Sequence, residues 1–506
     1  MSMISSATLR TKTGCLTCRA RRKKCNEQRP RCEKCVKSKR TCSWPAEDDL
    51  FDRRHRRPSR PPKSPSRSPE TIVIQRSPPL ASELLAETDA WPFFICRELS
   101  INSDLFSGTI FKSDLEMDCF RQFVNGFLPL LILTNTHPGF KSEFIPEVVD
   151  MILQFDGLKD IALACGASRL HALSGRTEMN EAGIIYYSRA MSEVHQALNS
   201  IDWSREVFSD AVLMAIIFLY VHGVFTIDTY KDIPRHLSGA IQLINLRCVE
   251  CRHPPLARPI HRIVWESILY QVFRQTVRHP FAADFQPDFE FCAKAEEILQ
   301  SLTFPDASEA ENSPVIGFPL SLQKFIIEIV QLCKSPFRPQ ASILLELGRE
   351  MRYWESTIPE KGHCIKKEGQ NFTGSTPAER AQAFHQHSTS LHVLAASLLF
   401  NWVCESHEIS GAEEVFSLPP PSNSWQVRRA LEIMRCPQAN KDWSRCYLGS
   451  WPTLIFGYAV DKPEDMALIR RDLEERFQVL YSGEELLFLS ELESIWRTRG
   501  IYGSDY

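Results

Sequence analysis

The sequence predicts a mainly α-helical protein in three unequal parts: a small cysteine-organised module over residues 10–46, a basic linker over 47–90 and a large all-helical domain over 91–506. Three observations predict it. Six cysteines near the start fall in a regular spacing, apolar residues from about Ala90 onward recur at intervals of three and four, and alternating apolar segments bounded by turns do not recur. Charge divides the chain the same way. Residues 1–80 hold 21 Lys and Arg against 7 Asp and Glu, a net of +14, which leaves 38 against 55, a net of −17, for residues 81–506. A basic head suits a polyanionic partner, whereas an acidic body is repelled by one.

The small module comes first. Its cysteines are Cys15, Cys18, Cys25, Cys32, Cys35 and Cys42, and each member of the first half recurs seventeen residues later in the second. Between Cys15 and Cys42 the only large apolar residues are Leu16 and Val36, so apolar burial cannot fold this stretch. Zinc held by thiolates can, contributing on the order of 10 kcal/mol. Each zinc takes four ligands, so six cysteines saturate one ion with two left over, or two ions if two cysteines bridge. The repeat favours two ions per chain, with Cys15 and Cys32 as bridging candidates. A disulfide framework needs an oxidising compartment, and residues 1–10 lack the apolar run of a secretory signal. A RING-type pair of zinc sites needs eight ligands, usually including histidine, and there is no histidine between Met1 and Ala46.

The slot between Cys18 and Cys25 holds Arg19, Ala20, Arg21, Arg22, Lys23 and Lys24, five cations in six, against three in the equivalent slot Val36–Thr41. Six thiolates on two zincs leave about two negative charges for nearby cations to offset, and five adjacent cations exceed that need. Arg and Lys pair with guanine in the major groove of double-stranded DNA and with its phosphates, so the first half is the better DNA face.

These residues, from Gly14 to Cys25 and from Arg29-Pro30-Arg31-Cys32 to Cys35, resemble the fungal zinc binuclear cluster transcription factors. The resemblance implies a two-zinc cluster whose short helix just past Cys18 enters the major groove. It implies that Arg21 and Arg22 read bases of a CGG-like triplet, and that the protein is a nuclear regulator of RNA polymerase II transcription. Arg19, Lys23 and Lys24 are expected on phosphates or in mixed contacts. The alternative is a ligand-sensing or interaction regulator that acts without direct DNA contact.

In the linker, Arg53, Arg54, Arg56 and Arg57 form a basic run that fits a nuclear localisation signal or a further phosphate tether. The Pro- and Ser-rich stretch after it cannot pack and is expected to be disordered. Ser64, Ser68 and Ser77 each precede proline, where phosphorylation would offset the basic charge. No heptad pattern supports a coiled coil here, which leaves homodimerisation to the large domain.

In that domain Phe120, Phe123, Phe127 and Leu130 predict a helix over Glu116–Leu133, and Pro146 fits the first turn of a second. Small residues over Leu158–Leu173 predict a closely packed third helix ending at Ser174-Gly175, and Asn180–Leu198 a fourth. Asp210 is expected to start a fifth, whose run Ala211–Val221 is apolar on every side and so buried, but too short to span a membrane. Further helices are expected at Pro234–Leu246, Ile260–Arg278, Leu320–Leu332, Ala341–Glu355, Ala378–Val403, Gln426–Arg435, Trp451–Val460, Pro463–Tyr481 and Gly483–Thr498, with polar loops at Asp306–Pro314 and Lys361–Pro377. The remaining eleven cysteines fit reduced, buried thiols.

Ala162–Ala167, His236–Ile244, Pro314–Gly317 and Trp451–Gly457 are similar to the regulatory region of many zinc cluster factors. That resemblance implies a helical effector domain that controls the head through co-regulators or, in some members, a small-molecule effector. No enzyme is expected. The only Asp pair lies in the linker, Gly-x-Ser-x-Gly, P-loop and dinucleotide turns are absent, Cys248, Cys251 and His253 fall short of four ligands, and His385, His387 and His392 are expected on a helix surface.

Overall fold

The computed structural model describes residues 15–44 except 16, 19, 20, 22, 24, 27, 29 and 30, and residues 110–499 except 201–205, 251–255, 257, 282–284, 336, 338, 360–375, 407–423 and 436–441. The linker with Arg53, Arg54, Arg56 and Arg57, the Cys251–His253 fragment and residues 361–375 of the expected Lys361–Pro377 loop lie outside the described residues. The chain divides into two units, Met1–Ala81 and Ser82–Tyr506.

Among the described residues of the first unit a short helix, α1 (Glu33–Lys37), follows Cys32, whose side chain caps it by accepting from the Cys35 amide. The second unit is helical throughout, with no strand among the described residues. It opens with α2 (Asp114–Gln122), started by Ser113, whose hydroxyl accepts from Glu116 N at 3.2 Å. The single helix expected over 116–133 is instead three segments in succession: α2, a π-helical turn (Phe123–Phe127) and a 3₁₀ turn (Leu128–Leu131). Pro129 has no N–H to continue an α-helix, and the wider π turn keeps both Phe123 and Phe127 in the core, their rings stacked at 5.7 Å.

Pro146 is likewise not at a helix start. It sits inside α3 (Gly139–Gln154), where the turn it weakens is offset by burial of Phe140, Phe144, Ile145, Val148 and Ile152 along the same helix. Next comes α4 (Asp156–Ser174), which ends where Gly175 adopts φ +70° and donates to His171 O at 2.7 Å. Its small residues matter: a Cβ on Gly166 would lie 1.9 Å from the Cys119 carbonyl oxygen of α2. Then follow α5 (Thr177–Ser200) and α6 (Glu206–Phe225). Ala211–Val221 is buried as its all-round apolarity requires, and α6 starts a turn before Asp210.

Beyond a 3₁₀ turn (Ile227–Asp232) come α7 (Ile233–Glu250) and α8 (Pro259–Val277), the latter with proline in its first turn and buried on most sides. Helix α9 (Phe289–Leu299) was not anticipated, although Asp288 caps it and Phe291, Ala295 and Leu299 recur every four residues. The rest is α10 (Leu320–Lys334), α11 (Ala341–Ser356), α12 (Pro377–Ser406), α13 (Trp425–Met434), a 3₁₀ turn (Tyr447–Gly449), α14 (Ser450–Ala459), α15 (Pro463–Leu480) and α16 (Gly483–Thr498).

The expected 306–314 loop is present and exposed at Asp306, Ser308 and Glu309, but its end packs inside. Asn312 is buried and donates to Phe304 O, Ala307 O and Ser308 O, while the buried carboxylate of Glu266 accepts from Val315 N and Ile316 N. A buried loop needs such partners for its backbone. Contrary to expectation, His392 is not on a surface. It is fully buried, stacked on Phe318 at 4.1 Å, and burial pushes its pKa down to about 3. His385 and His387 are half-buried on the same helix. No helix among the described residues is long and apolar enough to cross a membrane.

Candidate metal centre and nucleic-acid interface

The seventeen-residue repeat is visible in the backbone. Cys18 N donates to Cys15 Sγ at 3.4 Å, and Cys35 N to Cys32 Sγ at 3.4 Å. Lys23 N donates to Cys18 O at 3.0 Å, and Arg40 N to Cys35 O at 3.0 Å. Each half therefore folds its first two cysteines into a turn whose amides point at sulfur, an arrangement that favours thiolate.

The two halves bring their thiols together. Cys15, Cys18, Cys32 and Cys35 are all fully buried, with their sulfurs within 4.8 Å of one another. Cys15 Sγ lies 3.7 Å from Cys32 Sγ and 3.8 Å from Cys35 Sγ, while Cys18 Sγ lies 3.6 Å from Cys32 Sγ and 3.9 Å from Cys35 Sγ. Four sulfurs about 2.3 Å from a tetrahedral zinc stand about 3.8 Å apart, so the donor set fits the metal. Cys42 approaches from the side, its sulfur accepting from Cys32 N at 3.4 Å, and Cys25 and Trp44 pack half-buried against the group. Burial raises the thiols of Cys15, Cys18 and Cys35 to about 12; Cys32 is subject to the same push, yet the Cys35 amide and the Cys35, Cys18 and Cys15 thiols hold it down to about 6.

Of the five cations in the first half, Arg21 and Lys23 are described, and both are exposed; Arg19, Arg22 and Lys24 lie outside the described residues. Arg21 Nη1 donates to Ser38 Oγ at 3.3 Å, which anchors its guanidinium on the second half of the repeat. Thr17 ties the halves again, its hydroxyl donating to Thr41 O at 2.8 Å. Sequence reasoning missed Thr17 and Ser38. Their repeat counterparts, Lys34 and Arg21, carry no hydroxyl, so the repeat that exposed the cysteines could not expose them.

Residues 13–49 match the fungal Zn(2)-Cys(6) binuclear cluster domain, and residues 118–502 match the fungal specific transcription factor domain. The chain belongs to the fungal zinc-cluster transcription factors. Its cofactor is zinc, two ions in the cluster domain. Among similar proteins, transcription factor lfc1 of Flammulina velutipes is 47% identical over 51 residues, covering 10% of this chain and 17% of that one. Zinc cluster transcription factor CZF1 of Candida albicans is 53% identical over 38 residues, 8% and 10% of the two chains. Transcriptional regulatory protein moc3 of Schizosaccharomyces pombe is 64% identical over 33 residues, 6% of each. The shared stretch is thus less than a fifth of any of these relatives. No solved structure matches the chain.

As a zinc-cluster factor the chain carries its metal donors on two short turns and its large helical unit on a separate core. The helical unit holds no second metal-ligand group among the described residues. One buried ion pair is satisfied internally: Arg476 donates to both carboxylate oxygens of Asp472, at 2.8 and 3.1 Å, and to Trp443 O and Cys446 O.

Proposed function

We propose that this chain binds double-stranded DNA sequence-specifically in the nucleus and regulates RNA polymerase II transcription, reading a CGG-type triplet through the first half of its cysteine repeat. The observation that carries the reading is the set of buried sulfurs at tetrahedral spacing, with exposed Arg21 and Lys23 on the turn they brace. All six cysteines would hold the two zincs, with Cys15 and Cys32 shared. Bound zinc cross-links a stretch too poor in apolar residues to fold alone.

The chain's own residues do the recognition. Arg21 and Arg22 present guanidinium groups to base edges, and Arg19, Lys23 and Lys24 lie on phosphates. The second half buttresses the first through Thr17–Thr41 and Arg21–Ser38. Arg53, Arg54, Arg56 and Arg57 serve nuclear import. The acidic helical unit is repelled by DNA, so its partners are co-regulators, a small-molecule effector or a second copy of the chain.

Selection from random duplex by the purified full chain tests this. The expected result is enrichment of CGG-containing sequences, abolished by a chelator. Retention of DNA without enrichment overturns the sequence-specific reading, and no retention by zinc-loaded protein overturns it in favour of a regulator without direct DNA contact.

A further inference from the structure

The helical unit contains a partly open cavity between α6 and α8, lined also by Leu131, Val315, Tyr447 and the start of α16. The space open to the centres of water-sized molecules is about 60 Å³, several times the roughly 10–15 Å³ that one water needs. Its wall is mainly apolar, with Met214, Phe218 and Val221 of α6 facing Val264 of α8.

Two polar side chains in that wall are incompletely paired. Gln271 on α8 and Glu485 on α16 are 3% and 2% exposed, yet Gln271 Nε2 and Glu485 Oε2 have no hydrogen-bond partner. Buried donors and acceptors are almost always matched. Neighbouring polar groups are already engaged: Tyr220 and Ser267 bond each other at 2.7 Å, Arg274 is paired with Glu484, and the other oxygen of Glu485 accepts from Ser450 at 2.8 Å. Burial raises the Glu485 carboxyl, the Glu484 charge adding to the push and the Ser482 and Ser450 hydroxyls opposing it.

We propose that this cavity binds a small, uncharged, mainly apolar molecule of the amide type, which accepts a hydrogen bond from Gln271 Nε2 and exchanges one with the Glu485 carboxyl. A carboxylate is disfavoured because Arg274, the cation in the wall, already has its counter-ion. Helices α6, α8 and α16 come from three distant stretches, so a molecule spanning the cavity braces them together. Only its regulatory consequence rests on the effector role proposed above.

The test uses the full zinc-loaded chain without DNA and follows thermal unfolding of the helical unit against benzamide, ethylbenzene and benzoate. Benzamide is expected to raise the unfolding temperature saturably, ethylbenzene to bind at least about tenfold more weakly for lack of the hydrogen bonds, and benzoate to leave it unchanged. Gln271→Met, which keeps the length and removes the donor, is expected to weaken benzamide on the order of tenfold and to spare ethylbenzene. The inference is overturned if no probe gives a saturable shift, if benzoate or ethylbenzene matches benzamide, or if Gln271→Met leaves benzamide affinity intact. The three-probe comparison on the unmodified chain decides even if that variant fails to fold. DNA affinity of the same preparation reads the head alone, so a failure there is distinguishable from a failure here.

Discussion

Gly166→Ala tests a close approach of α2 and α4. In most helix interiors Gly→Ala stabilises by up to about 1 kcal/mol, because glycine loses the most backbone freedom on folding. At Gly166 the added carbon would meet Cys119 O at 1.9 Å and Cys119 C at 2.7 Å, backbone atoms with no side-chain freedom to yield. Helices α2 and α4 must then part by about 1 Å, an overpacking cost of about 3 kcal/mol at the upper end of the usual range. The net is about 2 kcal/mol of destabilisation. Gly239 in α7 supplies the control, since a Cβ there meets nothing within 4 Å, and Gly239→Ala should stabilise by about 0.5–1 kcal/mol. For a helical unit of about 425 residues, Ser82–Tyr506, the unfolding entropy is about 0.9 kcal/mol per degree, so calorimetry of the full chain should show Gly166→Ala about 2 °C lower and Gly239→Ala about 1 °C higher. Shifts of the same sign in both variants would refute the argument that backbone contact, not helix propensity, governs Gly166.

Three further outcomes are expected. Arg476→Met removes both hydrogen bonds to Asp472 and leaves that carboxylate buried, which should cost about 3–5 kcal/mol in denaturant unfolding, against no loss if water compensates. A zinc chelator should unfold the cysteine module and abolish sequence-specific DNA binding while leaving far-ultraviolet helicity of the large unit intact. Arg22→Ala should cost about 1–3 kcal/mol on the selected sequence and relax base preference, whereas Arg54→Ala should weaken all duplexes alike and lower the salt dependence; equal loss on selected and random DNA for both would remove the base-reading role.

The sequence by itself determined the metal module and most helices. Thiol spacing is a local property, so the repeat of Cys15 to Cys25 in Cys32 to Cys42 could be read directly, and four of its six cysteines stand at tetrahedral spacing. Helix periods are local too, which is why Gly175 as the end of α4 and the buried run Ala211–Val221 match the structure. Tertiary packing decided what local pattern cannot carry. Burial of flanking apolar residues kept Pro146 within α3, and packing of Phe123 and Phe127 took up a π turn. Glu266 and Asn312 satisfied the buried end of a loop that the sequence marks only as polar, and Phe318 covered His392. The cavity at Gln271 and Glu485 belongs to the same class: its wall is assembled from residues more than two hundred positions apart, brought together only by the packed core.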